Sequence, residues 1–141
     1  SNYTITKNTA VKGLKVMYAT STCLGEAGHQ ILQPINVDGS SIFKQKSTVP
    51  AKFRVCDANG NSVGLLGVVV TFAQVQSLSD SGGIVNESVD STTPDTAFRW
   101  DPTAQQWIFN MSTAKLSANT VYYYRITLND GSTIGFNFKL K

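Results

Sequence analysis

Histidine occurs once in the 141 residues, at His29, cysteine only at Cys23 and Cys56, and charged residues make up 15% of the chain. Each scarcity removes a class of chemistry. A lone histidine has no second His or Cys at ligand spacing, so a zinc-type centre is not expected. Lys and Arg are scattered and the net charge is only +3, so no basic footprint for nucleic acid is present. The nine acidic residues are spread over turns and form no paired carboxylates. Serine is abundant, but no Gly-x-Ser-x-Gly elbow carries one, so nothing local assembles a Ser-His-Asp triad. The longest apolar run, Leu65 to Ala73, is interrupted by Gly67 and Thr71 and is too short to span a bilayer. The expectation is a protein without enzymatic activity, cofactor, metal or membrane span.

What is present reads as a β protein. Hydrophobic residues make up 41% of the chain, enough for a core in one domain. Ser, Thr, Asn and Gly fill the turns, a composition of extracellular β proteins. Val49, Ala51, Phe53 and Val55 alternate with Lys52 and Arg54, then Asp57 to Gly60 makes a turn. Asp57-Ala-Asn59-Gly-Asn61 has the opening of a calcium loop, but Gly falls at the fourth position and Val68 stands where the bidentate Glu belongs, so a turn is expected. Leu65 to Gln76 is the most apolar strand, with Val68, Val70 and Phe72 in phase and a bulge before Val75; a short strand is expected near Ile84 and Val85. Phe98 and Trp100, an Asp101-Pro102 turn, and Trp107, Phe109 and Met111 form a hairpin with aromatic residues inside. Tyr122, Tyr124, Ile126 and Leu128 face inward, Asn129-Asp130-Gly131 reverses the chain, and Ile134, Phe136, Phe138 and Leu140 return on the same face.

Seven to nine short antiparallel strands without a helical stretch predict a β-sandwich of the immunoglobulin or fibronectin III type, spanning residues 14–141. Residues 1–13 form an extended N-terminal β segment in which Tyr3 and Ile5 alternate with Thr4 and Thr6. The run Leu116-Ser-Ala118-Asn-Thr120-Val-Tyr122 resembles the Leu-x-Pro-x-Thr-x-Tyr run of fibronectin type III domains, with Ala118 in place of Pro; there the tyrosine hydroxyl caps the turn entering the strand. The even cysteine count, in a chain of this composition, reads as a Cys23–Cys56 disulfide. Closing so long a loop stabilises a fold by about 3 to 4 kcal/mol in the chain-entropy treatment. Cys56 falls in phase with Lys52 and Arg54, which places it on the outward face, as a staple at the rim of the sandwich.

Three runs carry a resemblance: Gly28-His29-Gln30-Ile31-Leu32-Gln33-Pro34-Ile35-Asn36; Val49-Pro50-Ala51-Lys52-Phe53-Arg54-Val55-Cys56-Asp57-Ala58-Asn59-Gly60; and Ala97-Phe98-Arg99-Trp100 through Trp107-Ile108-Phe109-Asn110 to the Leu140-Lys141 end. From Val16 to Lys141 the chain resembles the β-sandwich domains, named for a Pro-x-Lys-Phe run, at the C-termini of long secreted or surface bacterial proteins. That resemblance implies a fold and a secreted or cell-surface location, but no residue-level activity. Upstream, Asn2-Tyr3-Thr4-Ile5-Thr6 looks like the last strand of a preceding repeat module. A β segment ahead of its own sandwich suits donor-strand pairing, in which it completes the sheet of a neighbouring copy, as in bacterial pilus-like fibres. Such a contact is heterologous and propagates as a helical filament. The other reading of residues 1–10 is an edge strand of their own domain.

The expected function is therefore a structural subunit of an extracellular filament of identical copies, with Tyr3 and Ile5 as donor-strand anchors. The alternative is a C-terminal adhesion or carbohydrate-binding module, for which Trp100, Trp107 and Tyr123 are the candidate ligand platform. Among these, core packing is the expected place for the two tryptophans, and Tyr123 is the exposed candidate. Asn2, Asn86 and Asn110 stand in Asn-x-Ser/Thr triplets and are candidate glycan acceptors.

Overall fold

The computed structural model describes residues 18, 22–79, 83–86, 88–93 and 97–141. These form eleven strands: β1 (Thr22–Cys23), β2 (Glu26–Ala27), β3 (Gln30–Ile31), β4 (Ile42–Phe43), β5 (Thr48–Arg54), β6 (Val69–Val75), β7 (Ile84–Asn86), β8 (Arg99–Asp101), β9 (Gln106–Ser112), β10 (Thr120–Leu128) and β11 (Thr133–Leu140). No helix occurs among the described residues. Two sheets face each other. One is four-stranded, in the order β3–β5–β9–β8; the other is five-stranded, in the order β4–β11–β10–β6–β7. The pair β1–β2 is a separate ribbon. The expected all-β sandwich is thus present, with one departure from antiparallel pairing: β4 runs parallel to β11, Ile42 beside Lys139. The expected N-terminal segment, residues 1–13, lies outside the described residues.

Alternation in sequence becomes layering in space. Val49, Ala51, Phe53 and Val55 are fully buried, as are Phe138 and Leu140 on the facing sheet. Met111 and Phe109 on β9 pair with Val49 and Ala51 on β5, so their side chains share one face. The layers meet through aromatic rings: Phe72 of β6 lies 4.9 Å from Phe98 and 5.2 Å from Phe109, centroid to centroid. Asn129-Asp130-Gly131 sets the hairpin register from Thr127 beside Thr133 to Thr120 beside Leu140, with Gly131 at φ 85° as the turn requires. At the entrance to β10 the Ser117 backbone N–H donates to the Tyr122 hydroxyl oxygen at 2.8 Å, the cap that the Leu116–Tyr122 run implied.

Two facing assignments are corrected. Cys56 is not on the outward face: it and Cys23 are both buried, 0% and 1% exposed, and their disulfide closes a separation of 33 positions. Alternation along β5 stops at Arg54. Beyond it the chain exchanges β9 for a new partner, with Val63 N–H donating to the Val55 carbonyl and Cys56 bridged to Ser62, so that Val55 and Cys56 are buried in succession. Gly28 permits the close approach, since a Cβ there would lie 2.5 Å from Cys23 Cβ. Val70 does not share the core face with Val68. The register between β6 and β10 shifts between Thr127 and Leu128, making Val70 the extra residue of a bulge and leaving it 60% exposed. The strand is also shorter than expected, because Leu65 and Leu66 are exposed in the turn ahead of it.

Burial carries an alkaline signature. Tyr124 is 2% exposed; burial first, then the neighbouring Tyr122 and Asp90, push its hydroxyl well above the ordinary phenol range. A phenol whose folded pKa is raised contributes fully below the unfolded value and loses that contribution as pH rises through the folded one. Stability is therefore expected to hold up to the ordinary phenol pKa of about 10 and to fall above it. Urea midpoints from pH 7 upward check this; the alkaline decline should be shallower in Tyr124→Phe.

Candidate functional site

A groove opens at one side of the sandwich. Strand β6 pairs with β10 along its inner edge from Val69 to Val75. On its outer edge β7 meets only Gln74 and Val75. No described strand pairs with the outer edge of Val69–Ala73, and these five residues line the groove. The opposite wall belongs to the other sheet, where the Thr92 N–H donates to the Asn110 carbonyl and the Ser112 N–H to the Asp90 carbonyl. The chain thus leaves the edge of the five-stranded sheet at Asn86 and joins the edge of the four-stranded sheet at Asp90, and among the described residues a groove lies between them.

That space is about 700 Å³, with Phe72, Phe98, Phe109 and Val89 among its apolar lining and Ser88 and Asp90 among its polar lining. Lys115 reaches Asp90 at 3.8 Å with both side chains well exposed, so the pair adds little stability. The groove joins main-chain groups without a described strand partner to aromatic surface, a combination suited to receiving an extended peptide. The strand content of β6 was legible in the sequence; the groove was not, because Phe72, Phe98 and Phe109 come from separate elements. The one sequence signal was Ile84 and Val85, apolar residues in a polar stretch, which prove 57% and 55% exposed.

The structure also brings together residues for which the sequence supplied no arrangement. His29 Nε2 lies 2.9 Å from Ser132 Oγ, 103 positions away. The Ser132 hydroxyl donates to the Asp130 carboxylate, and its backbone N–H donates to the same oxygen at 2.9 Å. With the serine proton committed to Asp130, His29 is the donor to Ser132 Oγ. The order is therefore His to Ser to Asp, whereas acyl transfer needs the histidine between the other two to take the serine proton. Ser132 N–H, which could have served an oxyanion, is committed to Asp130. Alongside, the Tyr18 hydroxyl donates to Asn129 Oδ1 at 2.5 Å; burial and the Asp130 charge raise its pKa, against the opposing effect of that hydrogen bond. The cluster ties the loop after the disulfide ribbon, with His29 at a left-handed φ of 58°, to the β10–β11 turn.

The aromatic platform is not formed as a surface. Trp107 is 4% exposed and its indole N–H donates to the Val63 carbonyl at 2.9 Å. Trp100 is half-buried, 5.5 Å from Trp107 between centroids, and lies so close under Gly64 that a Cβ there would be 2.3 Å from its ring. The physical reason is register: Trp107 sits opposite both Phe53 and Trp100, so all three point into the sandwich. Tyr123 lies on the other face of β10 from the core set and is half-buried. Asp57 accepts from the Asn59 and Asn61 backbone N–H groups at 2.9 and 3.1 Å, an Asx turn, and no metal-holding cluster occurs among the described residues. Asn86 is exposed on β7, Asn110 is half-buried in β9, and Asn2, Tyr3 and Ile5 lie outside the described residues.

What the fold defines is a disulfide-linked, two-layered β-sandwich with an open groove at one sheet edge. The chain matches no protein-family model, and no curated protein is detectably similar to it.

Proposed function

We propose that the chain is a secreted, non-enzymatic structural subunit of an extracellular filament, in which the N-terminal strand of one copy is received in the groove of the next. The single observation that carries this reading is the outer edge of Val69–Ala73, without a strand partner among the described residues, beside a floor of Phe72, Phe98 and Phe109. The occupant that fits is Asn2–Thr6 of a second copy. Five residues of strand extend about 16 Å on either side of such a pairing. Tyr3 and Ile5 supply an inward face, Thr4 and Thr6 an outward one, and each inward side chain buried contributes roughly 1.5 to 3 kcal/mol. The Pro-x-Lys-Phe resemblance and the disulfide, which suits an oxidising extracellular setting, support the location.

The test is assembly. The full chain is expected to form fibres in negative-stain electron micrographs and to sediment as large species. A chain starting at Val11, the double substitution Tyr3→Asp/Ile5→Asp, and Val70→Asp on the groove wall should each remain folded by near-ultraviolet circular dichroism yet monomeric. Fibres from the shortened chain, or a stable monomer of the full chain at high concentration, would sink the reading. A second reading, an adhesion or carbohydrate-binding module, draws on the groove volume, which falls in the range of small-ligand sites. Saccharide binding on a glycan array that Val70→Asp abolishes would favour it.

A further inference from the structure

Of the two Asn-x-Ser triplets whose asparagine and serine are both described, the fold leaves one asparagine open. Asn110 sits in β9 with both backbone edges occupied: it pairs with Pro50 of β5 on one side, and its carbonyl accepts from Thr92 N–H at 3.0 Å on the other. Ser112 of the same triplet donates its N–H to the Asp90 carbonyl at 2.8 Å. That triplet is held extended between neighbours. Asn86 is placed differently. It ends β7, the outermost described strand of the five-stranded sheet, where all three residues are exposed and β6 is the only strand partner among the described residues. Its Oδ1 accepts from the Ser88 backbone N–H at 3.0 Å, which holds the carboxamide beside the serine that completes the triplet.

We infer that Asn86 is an N-glycan attachment site that the folded protein presents for modification. The donor is a lipid-pyrophosphate-linked oligosaccharide delivered by an oligosaccharyltransferase. Asn86 Nδ2 attacks the anomeric carbon, the C–N bond forms as the C–O bond to pyrophosphate breaks, the amide nitrogen gives up one proton, and the lipid pyrophosphate leaves. A saccharide there has a physical role. Val85 is the extra residue of a bulge against Gln74–Val75, and with Ile84 it exposes apolar surface on a strand edge without a charged side chain of its own. Edges of this kind invite pairing with other chains unless covered. A hydrated glycan at Asn86 covers that edge, and this holds whether or not the chain forms filaments.

The experiment uses the full chain with its disulfide intact. It is incubated with a purified single-subunit oligosaccharyltransferase and a lipid-pyrophosphate-linked oligosaccharide, beside a reduced, urea-unfolded sample refreshed into the same buffer, and occupancy is read by glycopeptide mass spectrometry. The folded chain should be occupied at Asn86 and not at Asn110, and Asn86→Gln or Ser88→Ala should each remove that modification. In the unfolded sample both triplets should become acceptors. A folded chain left unmodified at Asn86, whatever the unfolded sample shows, or modified at Asn110 in its place, overturns the inference.

Discussion

Phe53→Ala is expected to destabilise the fold by about 3 to 5 kcal/mol, the range for deleting a large aromatic from a packed core. Phe53 is 0% exposed near the C-terminal end of β5, with Phe98 at 5.3 Å and Trp107 at 6.4 Å between ring centroids. It is flanked on both sides within its sheet, by Trp107 of β9 and Ile31 of β3. Neighbours held by main-chain pairing on two strands collapse poorly into a cavity, which argues for the upper part of the range. Domains of this kind are stable by about 5 to 15 kcal/mol in total, so the variant should sit close to its unfolding limit. Urea titration checks it: the midpoint should fall with the slope unchanged. A loss below about 1 kcal/mol would mean that the two sheets close over the site and that the core is less rigid than its ring contacts suggest.

Removal of the disulfide should have an effect of similar size by a different route. Cys23→Ala/Cys56→Ala opens a loop of 33 positions, and the chain-entropy treatment gives about 3 to 4 kcal/mol for closing one of that length. The penalty arises chiefly in the unfolded chain, whereas that of Phe53→Ala arises in the folded one. The two are separable, because the single variants Cys23→Ala and Cys56→Ala should each cost nearly as much as the pair, since either one breaks the same bond. Addition of a reductant should move the wild-type midpoint to that of the variants and leave theirs in place. Additive single effects would mean that the buried sulfurs contribute through packing rather than through the bond.

How far the sequence reached depended on whether a feature was local. The Tyr122–Leu140 hairpin was legible because a period of two and an Asn129-Asp130-Gly131 turn fix both face and register within one continuous stretch. The same rule misplaced Cys56 and Val70. In each case the backbone stopped keeping step with its partner: β5 exchanged β9 for Ser62–Val63, and β6 gained a residue against β10. A bulge or a change of partner leaves no mark on periodicity, since the residue types stay the same. The groove was beyond reach for another reason. It lies where the described pairing on the outer edge of β6 ends at Gln74, and its floor gathers rings from β6, β9 and the approach to β8. The His29–Ser132–Asp130 chain likewise joins positions 103 apart, and only the folded path shows which donor faces which acceptor. Trp107 was correctly expected in the core, because its neighbours in phase are Phe109 and Met111.

The covalent ring closed by Cys23 and Cys56 contains β3 and β5, which belong to the four-stranded sheet, and β4, which belongs to the five-stranded one. Tension entering near Cys23 therefore passes through sulfur to Cys56 without running along the strands between them. Those 33 positions cannot be let out as slack, which at about 3.4 Å per residue withholds roughly 110 Å from the extension of the unfolded chain. Under load, the ring keeps pieces of both layers tethered to one another. A chain built this way stretches less than its length implies.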